Sequence, residues 1–128
     1  MSAKRAISNP VSGPPTLPYS SGIEAGGFVF LAGQLGVNPA DGKLAEGLEA
    51  QTRQVFANIE ALLKQAGLGL NDVVRSTVFL ADVADFQEMN KIYAEYFSEP
   101  RPARSTVGAA MARAGALIEI EVTAVHQA

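Results

Sequence analysis

Apolar positions along this 128-residue chain follow two periods, and the switches between them mark out its elements. Over 48–66, Val55, Ile59, Leu62, Leu63 and Ala66 fall on one stripe at the spacing of an amphipathic helix. Gln51, Arg53, Glu60 and Lys64 fall largely elsewhere. Glu60 and Lys64 stand at i,i+4 in the favourable order, and Gly67 supplies the stop, with Leu68 folding back. A second helix is expected after Asp82 as N-cap, with Asp85 in its first turn. Its buried stripe is Phe86, Met89, Tyr93 and Phe97 or Tyr96, with Asn90 on or beside it.

Elsewhere the period is two. Residues 73–80 place Val74, Ser76, Val78 and Leu80 on one strand face and Val73, Arg75, Thr77 and Phe79 on the other. After Pro102, a strand over 103–107 sets Ala103, Ser105 and Val107 against Arg104 and Thr106. Ile118, Ile120, Val122 and Ala124 form a clean apolar face, with Glu119 and Glu121 opposite, roughly 6.5–7 Å apart at two strand rises. Residues 28–32 are apolar on both faces, so that strand needs cover on both sides. Gly26-Gly27 joins it to residues 20–25 as a hairpin, and residues 4–7 suit a short edge strand. The Pro- and Gly-rich stretch 9–18 reads as an ordered loop and 38–42 as a turn. The order β-ββ-α-β-α-ββ predicts an α+β fold: a mixed sheet of about six strands with two helices on one face. The uncovered face would be too large an apolar patch for a monomer, so sheet-on-sheet packing between identical subunits is expected, with ligand sites between them.

Length sets a single domain over 1–128. With no cysteine there is no disulfide framework, thiolate nucleophile or Cys-ligated metal, and neither HExxH nor a phosphate-binding glycine motif occurs. No apolar run approaches a membrane span and the N-terminus lacks an apolar leader, so a cytoplasmic protein is expected. Net charge is −3 with scattered basic residues, which argues against a nucleic-acid surface. The single histidine, His126, lies at the C-terminal tail, a poor place for a triad.

What remains is carboxylate acid/base work with arginine anchoring, and 101–121 carries both. If its two strands pair, the Arg104 guanidinium and the Glu119 carboxylate converge to bind a small acid and move a proton. The plainer alternative is an ion pair on a strand face. Gly33 lets something approach the backbone or simply marks a bulge, and backbone NH groups near Gly33 and Thr106 are oxyanion-donor candidates. Tyr19 is either a pocket phenol or an interface aromatic, and Asn90 a ligand contact or a satisfied structural amide.

The chain resembles the RidA/YjgF family of reactive-intermediate deaminases. The likeness is carried by Pro18-Tyr19-Ser20, Phe28-Val29-Phe30-Leu31-Ala32-Gly33-Gln34, Asn38-Pro39, Gln51-Thr52-Arg53-Gln54-Val55 with Asn58, and Thr77-Val78-Phe79-Leu80. Asp85-Phe86, Asn90, Tyr93, Pro102-Ala103-Arg104-Ser105 and Ile118-Glu119-Ile120-Glu121 continue it. The resemblance implies a chorismate-mutase-like fold, a homotrimer whose sheets form a central barrel, and active sites in the clefts between subunits. It implies hydrolysis of 2-enamine or 2-imine acids, of the 2-aminoacrylate/2-iminopropionate type, to 2-keto acids and ammonia, without a cofactor or metal. Arg104 would clamp the substrate carboxylate and Glu119 would activate water. Gly33 and Thr106 would hold the substrate through backbone groups, and Tyr19 and Asn90 would line the pocket. Two positions depart from the pattern: Ala32 stands where many members carry Ser, and Thr106 where many carry Cys. A non-catalytic carboxylate-binding or partner-modulating protein is the alternative. The ribonuclease or translation-inhibitor activity of the family's older names is disfavoured by charge and by the lone terminal histidine.

Overall fold

A computed structural model of the protein describes residues 3–127. Its elements run β1 (Arg5–Ile7), β2 (Gly22–Ala25), β3 (Phe28–Leu31), β4 (Gln34–Leu35), α1 (Leu48–Gln65), β5 (Val73–Leu80), α2 (Phe86–Tyr96), β6 (Ala103–Gly108) and β7 (Ile118–Val125). The strands form one mixed sheet in the order β1-β2-β3-β7-β5-β6, and the two-residue β4 sits beside β7 as a seventh strand. Only β5 and β6 pair in parallel, because α2 carries the chain back across the sheet between them. The α+β architecture is therefore as the periodicity predicts. The two strands of 101–121 do not pair, however: β5 lies between β6 and β7.

Both helices cover one face. Ile118, Ile120, Val122 and Ala124 of β7, Val78 and Leu80 of β5, and Val29 and Leu31 of β3 pack there against Val55, Ile59, Leu62 and Leu63 of α1 and Met89 and Tyr93 of α2. Gly67, at φ 75°, ends α1. Its N–H donates to Lys64 O and that of Leu68 to Leu63 O, which satisfies the last carbonyls. The β2–β3 hairpin turns on Gly26 and Gly27, both at positive φ, as its two-residue connection requires.

Three local expectations fail for identifiable reasons. A register shift between Val73 and Arg75 breaks the alternation of β5, so Val73 is buried and Val74 exposed. Phe86 is exposed, because a 3₁₀ turn over Val83–Asp85, capped by Asp82 Oδ1 on Ala84 N, sets it at the mouth of α2; Ile92 is buried instead. Gln51 is buried rather than off the packed side of α1. The second face of the sheet stays bare, with Phe28, Phe30 and Val107 each 42–46% exposed. No helix among the described residues is long and apolar enough to cross a membrane.

Candidate functional site

The acidic side of the site is built by a bulge. Phe30 pairs with Thr123 and Gln34 with Ile120, so residues 31–33 face only residues 121 and 122 of β7. The extra residue turns Gly33 toward Glu119. A Cβ at Gly33 would overlap Glu119 Oε2 and lie 2.8 Å from its Cδ, so only glycine lets the carboxyl rest on the backbone there. Burial, and after it the like charge of Glu121, holds the Glu119 carboxyl above its ordinary value. Gly33 and Tyr19 also line a cleft of about 340 Å³ bounded by the 9–21 loop and the 34–42 segment.

The basic side lies elsewhere. Arg104 projects from β6 over the Tyr93 ring, 4.7 Å from its centroid, and 5.7 Å from that of Phe86. Tyr93 is itself fixed by a 2.7 Å hydrogen bond between its Oη and Ser76 Oγ, and burial raises its pKa. Among the described residues Arg5, Arg53 and Arg101 each pair with a carboxylate, and Arg104 pairs with none. It shares a cleft of about 270 Å³ with Asn90, Tyr93 and Arg101. Thr106, two residues along the same face, has a buried Oγ1 with no partner among the described residues. A buried hydroxyl without a partner is uncommon and costly.

Strand register fixes how these groups relate. Arg104 pairs with Ser76 and Ser76 with Val122, all on the helix-covered face. Val107 pairs with Phe79 and Phe79 with Glu119, on the bare face. Within one chain the guanidinium and the acid therefore point to opposite sides of the sheet. The candidate residues thus fall into two groups, two candidate half-sites: Glu119, Gly33 and Tyr19 in one, Arg104, Asn90 and Thr106 in the other.

Sequence pattern alone placed Tyr93 in the buried stripe and gave no role to Ser76; the polar tip of an otherwise apolar stripe residue was the available signal. Arg113, on the segment before β7, also lines the Gly33 cleft, and no hydrophobic period or motif singles it out in the sequence. No group of three or more His, Asp or Glu side chains fit to hold a metal ion occurs among the described residues.

A family model described as Endoribonuclease L-PSP matches residues 11–126. The chain is 49% identical over 111 residues to the RutC family protein PH0854 of Pyrococcus horikoshii, covering 86% of this chain and 88% of that one. It is 38% identical to the 2-iminobutanoate/2-iminopropanoate deaminase of Dermatophagoides farinae, covering 94% and 95% of the two chains. The crystal structure of RidA from the Antarctic bacterium Psychrobacter sp. PAMC 21119 superposes with a TM-score of 0.89 at 38% identity, over 94% of this chain and 98% of that one.

Proposed function

We propose, for a chain that belongs to the Endoribonuclease L-PSP family of RidA and YjgF proteins, the hydrolytic deamination of short-lived 2-enamine and 2-imine acids. The products are the 2-keto acid and ammonia. The observation that carries this reading is Arg104, its guanidinium carbon 4.7 Å from the Tyr93 ring centroid in a cleft where, among the described residues, no carboxylate pairs with it. A planar fork presented in this way suits the bidentate grip of a substrate carboxylate.

The site is completed when the bare sheet faces of identical chains pack together, bringing the Glu119 half-site of one copy to the Arg104 half-site of another. A homotrimer with a central barrel of sheets satisfies both needs, covering Phe28, Phe30 and Val107 and joining the halves. There the enamine tautomerises to the imine and its carboxylate is clamped by Arg104. The imine nitrogen takes a proton from solvent. Glu119 takes a proton from water as the water oxygen bonds to C2 and the C=N π pair moves to nitrogen, and Glu119 then returns its proton to the amino group. The C2–N bond of the resulting carbinolamine breaks, ammonia leaves, and the hydroxyl proton is lost as the carbonyl forms. A positioned base contributes about 10²–10⁴-fold to such a step. In this reading the Thr106 hydroxyl and the backbone at Gly33 hold polar atoms of the substrate, with Tyr19 and Asn90 walling the two halves; the Thr106 Oγ1, without a partner among the described residues, supports it.

RNA cleavage is the less favoured reading, because His126, the one imidazole, bonds to Glu24 Oε1 of β2 at 2.7 Å, four strands from the β6 strand that bears Arg104. The deciding experiment adds purified protein to a dehydratase that releases 2-aminoacrylate from serine. Ammonia should appear faster, and Arg104→Ala should abolish the acceleration. An unchanged rate with the unmodified protein rejects the reading.

A further inference from the structure

Arg113 is an arginine that the proposed chemistry does not use and that still faces a ligand-sized space. It lies on the segment between β6 and β7 and lines the same cleft as Tyr19 and Gly33. Its Nη2 donates to Gly42 O at 2.9 Å. That carbonyl belongs to a turn stiffened from within, since Asn38 Oδ1 accepts from Ala40 N and Gly42 N donates to Asn38 O. The segment bearing Arg113 is fixed from below by Gln51, whose Nε2 donates to Gly115 O at 3.0 Å and whose Oε1 accepts from Leu117 N at 2.8 Å. The guanidinium is thus pinned at one nitrogen. Among the described residues its other N–H groups meet no protein acceptor, and no carboxylate lies within ion-pair distance.

The charge in this cleft is all of one sign. Its polar lining is otherwise neutral, with Asn9, Ser21 and Gln34 among it, and no Asp or Glu side chain lines it. Glu119 reaches it only through Gly33, where the acid rests on the backbone. Gly33 is thus common to the cleft and to the Glu119 contact, and a substrate whose C2 stands beside Glu119 is next to a residue that lines this space.

We propose that the Gly33 cleft receives the substrate side chain and that Arg113 makes it selective for side chains ending in a second carboxylate. The preferred substrates are then imines of 2-oxo dicarboxylic acids. This inference rests on the deaminase reading above and adds a substrate class to it.

The test uses the assembled full-length protein and isothermal titration with two stable keto acids, 2-oxobutyrate and 2-oxoglutarate, taking the ratio of their affinities as the readout. One charge-assisted contact on a partly open site should favour the dicarboxylate by about tenfold. Arg113→Gln should bring the ratio to about one, and Arg113→Lys, which keeps the charge but loses the fork, should restore part of the preference. A ratio near one in the unmodified protein overturns the inference. So does a preference that survives Arg113→Gln, or a parallel fall of both affinities that leaves the ratio intact. If 2-oxobutyrate binds and 2-oxoglutarate does not, the inference alone fails; if neither binds, the deaminase reading falls with it.

Discussion

Glu119 is where burial and chemistry meet most directly. Burial first, and the Glu121 charge second, raise its pKa, and a base works only when ionised. The acid limb of kcat/KM should therefore lie above the range of an ordinary glutamate, with activity lost as pH falls through it. Glu121→Gln removes the second cause and should shift that limb to lower pH in a rate–pH profile; a limb that stays put contradicts the assignment. Stability carries the opposite sign. The folded chain resists ionising Glu119, so its contribution is present at low pH and lost as pH rises through the raised value. Arg104 and Glu119 were legible in the sequence because each interrupts a strand pattern. What kept their relation hidden was register: adjacent residues along a strand alternate faces, but which faces two strands share depends on the strand between them. Tyr93 was legible as core and not as the platform under Arg104, since periodicity weighs its ring and ignores its hydroxyl.

The elements hold the site through buried amides as much as through apolar contact. Gln51 ties α1 to the segment entering β7, and Asn58 donates to Leu35 O at 3.1 Å and Val37 O at 2.8 Å, tying the same helix to the strand after the bulge. Gln51→Ala leaves the Gly115 carbonyl and the Leu117 N–H of two part-buried hydrogen bonds without their partner, and should cost about 1–3 kcal/mol in urea unfolding. Glu60→Ala, on the exposed side of the helix, should stay within about 0.5 kcal/mol; equal effects would show that the amide link is unimportant. Hydrophobic spacing predicted α1 to within a residue and could not predict these links, because the hydrogen-bond partners of Gln51 lie more than sixty residues away in sequence. The two bulges were unequally legible. Glycine marked the one at Gly33, whereas nothing in Val73-Val74-Arg75 announces the shift that exchanges their faces.

At the scale of the molecule, one bare sheet face is the dominant fact. Residues 28–32 read as needing cover on both sides, and the described chain covers one: Val29 and Leu31 are buried, while Phe28 and Phe30, their ring centroids 5.9 Å apart, are not. The apolar count thus foresaw the exposed patch, and a single chain's sequence could not say what closes over it. Phe30→Glu puts a charge in the middle of that face. It should give monomers by sedimentation velocity, with the circular dichroism of the folded chain and no deaminase activity; an active monomer would refute an interface site. The placement of Arg104 and Glu119 on opposite sides of a sheet has a genetic counterpart. Arg104→Ala and Glu119→Gln should each be inactive alone, yet cofolding equal amounts should restore about a quarter of the original rate, since every mixed ring of three joins one intact arginine to one intact acid. Two lesions in the same gene would then complement each other, as two lesions in a site made by one chain cannot.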